Sequence, residues 1–176
     1  MTIDAGGRAG ADVAKPGADV ARLSAEPISA GDLAVQVSRG SGAVVTFEGR
    51  VRETNEGRRV ARLHYDAYPG MADRVFADIL RRTRQAHPVT AVRVLHRTGT
   101  LEVGETAVAI AVTAGHRDEA FAAARFVIEV VKAELPVWKR EEYEDGSSRW
   151  LGDEPPARGE LAPGEAVEDD AREGTG

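Results

Sequence analysis

The sequence predicts an α+β domain: a mostly antiparallel sheet with packed helices. Three observations lead there. GAVVTFEGRV (42–51) and TAVAIAVTAG (106–115) are short apolar runs rich in β-branched residues, as strands are. Two longer segments, 71–86 and 117–135, repeat apolar residues at helical spacing. Only one link between consecutive strands needs a helical crossover, so hairpin-like pairing dominates.

The elements follow in chain order. ISAGDLAVQVSRG (28–40) reads as a short helix. Ser29 is its candidate N-cap, Asp32 stands three residues on, and Gly40 can stop it. Residues 42–51 read as a buried strand, and Asn55-Glu56-Gly57 as a loop. RVARLHYDAY (59–68) is the next strand, and Tyr68-Pro69-Gly70 punctuates it. In the helix predicted over 71–86, Met71, Val75, Phe76, Ile79 and Leu80 share a face, and Arg81, Arg82 and Arg84 suit its C-terminal dipole. Strands over 91–99 and 106–115 flank a loop at LEVGE (101–105). The strongest helix is 117–135, with an apolar stripe of Phe121, Ala124, Ile128, Val131 and Leu135; Pro136 ends it. REEYEDGSSRW (140–150) reads as a hairpin turning near Asp145-Gly146.

Composition bounds the function. The chain has 176 residues and no cysteine, which removes disulfides, thiolate metal sites and a cysteine nucleophile. Residues 1–26, rich in Gly, Ala and Asp, read as a disordered leader, and 152–176 as an acidic disordered tail. The folded unit is then 27–151. The net charge of −6 comes from 23 basic and 29 acidic residues, but 151–176 hold eight acids and two arginines. The remainder carries 21 of each sign, so a local basic pocket is compatible with it. No apolar run reaches membrane-span length and no signal peptide is evident, so a cytoplasmic protein is expected. The four histidines lack metal-ligand spacing, and no phosphate-binding glycine motif or nucleic-acid module is present. No metal and no cofactor are expected.

Three clusters carry possible chemistry. His116 and Arg117 stand where a strand and a glycine turn feed a helix start, a place suited to an anion. A solvated turn with Asp118 near the helix cap explains them equally well. Arg50 and Arg52 leave the end of an apolar strand two residues apart and share a face, as a solvated strand end also would. Lys132 lies beside the apolar stripe of its helix, where desolvation would make it a base or nucleophile, although a snorkelling lysine is the commoner outcome. Lys139 and Arg140 follow Pro136 and Trp138 at once. The proline would let them turn back toward the helix that carries Lys132.

Taken in order, GAVVTFEGRVR (42–52), LHYDAYPGMA (63–72), HRTG (96–99), GHRDEAF (115–121), Lys132 and PVWKRE (136–141) resemble one family, the catalytic (large) subunit of molybdopterin synthase. The resemblance spans the predicted folded unit. It implies a fold of α/β hammerhead type and a sulfurtransferase of molybdenum cofactor biosynthesis. Such an enzyme converts cyclic pyranopterin monophosphate to molybdopterin, building a dithiolene. Its sulfur arrives on the C-terminal thiocarboxylate of a small ubiquitin-like carrier whose Gly-Gly tail enters the large subunit. This chain ends EGTG, so it is expected to receive sulfur rather than carry it. The resemblance assigns catalysis to Lys132 and Lys139. It assigns substrate binding to Arg50, Val51, Arg52, His116, Arg117, Lys132, Lys139, Arg140 and Glu141. It further implies a homodimer within a heterotetramer, with no nucleic acid and no membrane. The alternative is a non-catalytic paralogue that binds an anionic metabolite or a ubiquitin-like protein.

Overall fold

A computed structural model describes residues 18–33 and 38–152; the remaining leader and tail residues lie outside the described residues. Two sheets form. In the first, β1 (Val20–Ser24) pairs parallel with β5 (Val89–Arg97), and β5, β7 (Thr106–Ala114) and β2 (Ala43–Arg50) follow antiparallel. In the second, β3 (Thr54–Asn55), β4 (Arg58–Ala67), β8 (Val137–Tyr143) and β9 (Ser148–Leu151) are antiparallel neighbours, and β6 (Gly99–Glu102) also pairs with β4. The α+β class with a mostly antiparallel sheet therefore holds.

β5 and β7 are buried almost throughout because both faces of their sheet are covered. On one face lie α1 (Pro69–Ala86) and α2 (Arg117–Glu134), whose Phe76, Ile79, Ala123, Val127 and Val131 pack on Val92, Val94, Ile110 and Val112. On the other, Ile28 and Leu33 pack on Leu95, Ala109 and Ala111. A smaller core of Val51, Val60, Leu63, Leu101 and Tyr143 belongs to the second sheet.

Several expectations change. β1 falls inside the stretch read as a leader. It is ordered because Asp19 ties three elements: its carboxylate pairs with Arg84 at the end of α1 and accepts the Val92 backbone N–H at 2.9 Å. The expected helix over 28–40 is a single 3-10 turn, Ala30–Leu33, within the described residues; 34–37 lie outside them. The local signal was sound nevertheless, since the Asp32 carboxylate accepts both the Ser29 N–H at 2.7 Å and its hydroxyl at 2.8 Å. β2 is an outer strand and half exposed rather than buried, with Val44 and Phe47 open to solvent.

α1 begins two residues earlier than predicted, with Pro69 in its first turn, where no N–H is missed. LEVGE is not all loop: Leu101, fully buried, anchors β6 before the turn at Gly104. The second hairpin starts at Val137, three residues early, because β4 offers a long partner. Its turn lies where predicted, with Gly146 at φ +82° and the Gly146 N–H donating to the Tyr143 carbonyl. The buried side of α2 is rotated from the predicted stripe: Ala120, Ala123, Ala124, Val127 and Val131 face the sheet, and Phe121 is 63% exposed. Alanines win those positions because a helix packed closely on a sheet leaves little room for larger side chains.

Candidate active site

α2 sends Phe121, Ala124, Ile128 and Lys132 along one side at spacings of three or four residues. With Val45 and Phe47 of β2 this row walls an open, largely apolar groove of about 510 Å³. Lys132 stands last in the row, so the groove's helical wall ends on an ammonium. It is exposed, so the desolvation expected from its apolar neighbours is absent in the single chain.

At the other end of α2, His116 is the N-cap residue in extended conformation, without a side-chain cap, and Arg117 opens the helix. Both are exposed and border a concavity of about 580 Å³ with Gly42 and Gly115. The uncapped first-turn N–H groups add partial positive charge, while Asp118 and Glu119 share the same turn. Gly42 is a packing requirement: a Cβ there would lie 2.3 Å from the Gly115 carbonyl oxygen. Gly42→Ala is expected to cost about 1–3 kcal/mol, read as a lower urea midpoint, because β2 must move away from the turn that presents His116.

The third group lies where β2 runs into the second sheet. Arg50 follows a bulge and is held by Glu48, with Nη2 donating at 2.6 Å, so this cation is engaged at the surface. The Arg50 hydrogen bond first, and then the Ala30 N–H, hold the Glu48 carboxyl below its ordinary 4.5, against the opposing effect of burial. A pKa lower in the folded than in the unfolded chain stabilises above the unfolded value, and that gain is lost as pH falls through the folded one. Glu48→Gln is therefore expected to melt below the parent at neutral pH and to converge with it as both are acidified; thermal melts over a pH series check this.

Val51 is 4% exposed and both its backbone groups are used, by the Glu105 carbonyl and the Gly104 N–H, so it can shape a pocket only by packing. Arg52 is exposed and donates to Asn55 Oδ1 at 3.1 Å. On β8, Lys139 is half-buried and lies 3.6 Å from Glu141. Glu141 is 2% exposed and accepts from Asn55 Nδ2 at 3.0 Å and from the Tyr143 hydroxyl at 2.9 Å. It lies beneath Lys139 rather than on an open surface. Arg140 pairs with Glu142 at 3.1 Å and stands over the Trp150 ring.

Arg52, Lys139 and Glu141 thus come together. Lys132, the His116–Arg117 pair and Arg50 occupy other places on the same chain. The anticipated turn of both Lys139 and Arg140 toward Lys132 is not what β8 does: neighbouring strand residues point to opposite faces, so the two cations part. Neither lines the Lys132 groove. Sequence reading missed Asn55 and Tyr143 entirely. Asn55 looked like a turn residue, and its contact with Glu141 spans 86 positions, beyond any local signal.

Fold and site together define an α+β protein with cations set at a helix start, a helix end and a strand crossing. Comparison with known proteins narrows this. Residues 23–134 match the family described as MoaE protein. The chain is 50% identical over 106 residues to the molybdopterin synthase catalytic subunit of Oryza sativa subsp. indica, covering 60% of this chain but only 55% of that relative. It is 42% identical over 135 residues to molybdopterin synthase catalytic subunit 1 of Mycobacterium tuberculosis, covering 76% of this chain and 91% of that one. The crystal structure of molybdopterin synthase from Staphylococcus aureus superposes with a TM-score of 0.70 at 35% identity, over 75% of this chain and 96% of that one. The chain belongs to the MoaE protein family.

Proposed function

We propose that this chain is the catalytic subunit of a molybdopterin synthase, a cytoplasmic sulfurtransferase in molybdenum cofactor biosynthesis. It takes sulfur from the C-terminal thiocarboxylate of a small ubiquitin-like carrier and adds it to cyclic pyranopterin monophosphate, forming the dithiolene. The observation that carries the reading is the groove between β2 and α2, whose helical wall ends on Lys132. An extended Gly-Gly tail has no side chains to obstruct such a groove, and its terminal anion would meet the ammonium. The likeness to molybdopterin synthase catalytic subunits supports this reading.

The residues then divide the work. Lys132 neutralises the incoming thiocarboxylate, which must approach a substrate that is itself a phosphate anion. Lys139 and Arg52, held through Glu141 and Asn55, form a second cationic pair for the substrate. His116 and Arg117, with the free N–H groups of α2, suit its phosphate. Arg50 and Arg140 contribute charge from the edges, and Val51 contributes shape. Either lysine can pass a proton, first as the thiocarboxylate sulfur bonds to the pterin carbon, and then as water cleaves the acyl–sulfur bond so formed, leaving sulfur on the pterin and releasing the carrier as its carboxylate. In the proposed assembly, a central dimer of this chain with one carrier at each end, clusters that stand apart in one chain can meet across subunits.

The test is reconstitution. The purified chain, mixed with thiocarboxylated carrier and cyclic pyranopterin monophosphate, is expected to yield molybdopterin, detected as its fluorescent oxidation product. Binding of carrier and substrate without product would overturn the proposal in favour of a non-catalytic paralogue.

A further inference from the structure

Glu141 is the buried carboxylate among the described residues. Leu63 faces it across the β4–β8 ladder, and Tyr143 beside it belongs to the Val51–Leu101 core cluster. A carboxylate in such surroundings must be met by donors. Its Oε2 takes two, Asn55 Nδ2 at 3.0 Å and the Tyr143 hydroxyl at 2.9 Å. Burial first, and then that hydrogen bond, raise the Tyr143 phenol, so it remains a donor at neutral pH. Oε1 is left toward Lys139 Nζ at 3.6 Å, beyond hydrogen-bond length.

The other end of Asn55 is also occupied, because Oδ1 accepts from Arg52 Nη2. Its amide has one workable orientation. Reversed, NH₂ would meet a guanidinium that has no acceptor, and the amide oxygen would meet a carboxylate that has no donor. One side chain thus joins the cation leaving β2 to the carboxylate beneath the cation on β8.

We propose that Asn55 and Tyr143 are positioning residues of the sulfur-transfer site, clamping Oε2 of Glu141 so that Lys139 is oriented but not captured, while Asn55 holds Arg52 in step with it. The proposal rests on the reading of this chain as a sulfur-transferring subunit that uses Lys139 and Arg52. Its logic is competition. A carboxylate free to turn would close on the ammonium as a tight pair and withdraw it from an anionic substrate. With Oε2 saturated, the Glu141–Lys139 contact stays long, and the ammonium keeps donors for a second anion.

Asn55→Ala and Tyr143→Phe are compared with the parent, each in the reconstituted assay with thiocarboxylated carrier. In parallel, reductive methylation of Lys139 is followed by peptide mass spectrometry, with Lys132 as the internal reference. Asn55→Ala is expected to lose about tenfold to a hundredfold in kcat/KM, with KM rising because Arg52 is released. Tyr143→Phe leaves Arg52 held and is expected to lose about three- to tenfold, in kcat alone. Methylation of Lys139 slows in both, relative to Lys132. Parent-like kinetics and parent-like methylation in both variants overturn the clamp. Should Asn55→Ala fail to fold, Tyr143→Phe, which removes one oxygen, decides alone. A parent without turnover overturns the functional reading, and the methylation rates then still decide the clamp: unchanged rates overturn it, slowed rates support it.

Discussion

Lys132→Ala is expected to lower dithiolene formation by about a hundred- to ten-thousand-fold, the range over which a positioned proton donor or acceptor contributes. The groove it closes is otherwise largely apolar, and the other cation along it, Arg125, faces Glu129 at 3.8 Å, so the end where the thiocarboxylate would arrive loses its own charge. The fold should be untouched. Lys132 is exposed, has no ion pair among the described residues, and sits where alanine favours the helix. Carrier binding should fall less than turnover, because the groove walls remain. Lys132→Arg separates charge from proton transfer: it keeps the first and cannot perform the second at neutral pH. Rates from the reconstituted assay, with a thermal melt of each variant, check this, and parent-like turnover in Lys132→Ala would remove Lys132 from the mechanism.

Glu141→Ala carries the largest expected cost in stability, about 3–5 kcal/mol, the range for removing one partner of a buried charged network. Two groups lose their acceptor at once, the Asn55 amide and the Tyr143 hydroxyl, and the Lys139 ammonium loses its neighbouring counter-charge. A void also opens beside Leu63, its cross-strand neighbour. Glu141→Gln keeps the volume and one acceptor oxygen, and should cost about 1–2 kcal/mol. Urea unfolding of the pair measures both. Equal midpoints for Glu141→Ala and the parent would mean that the second sheet does not depend on this carboxylate.

Residues differ in how much of themselves they show in sequence. β7 was plain, because nine consecutive apolar or small residues leave few other solutions. The turns at Glu56-Gly57 and Asp145-Gly146 were plain too, since the chain needs positive φ there and glycine supplies it cheaply. The α2 stripe was misjudged by about one helical step, because hydrophobicity ranked Phe121 above Ala120 and Ala123, whereas close packing on the sheet ranks small residues first. β1 was invisible, since its order depends on one aspartate reaching both an arginine and a backbone amide more than sixty residues away.

The site shows the same division. Cationic residues at element ends could be found by type and position, and family resemblance named them. Their mutual placement could not be read, because it depends on strand parity and on Asn55. Parity sent Lys139 and Arg140 to opposite faces despite their adjacency. Nothing local distinguishes Asn55 from any other turn asparagine.

The Asp19 linkage also governs how the molecule behaves toward its own copies. β1 covers the outer side of β5, whose sequence VTAVRVLHR is rich in β-branched, strand-forming residues. Without that cover, β5 would present a row of unpaired N–H and C=O groups, the template on which strands of other molecules assemble. A five-residue strand pinned by one carboxylate therefore acts as a guard against aggregation. On that side the edge of the first sheet is then the five-residue β1 in place of the nine-residue β5.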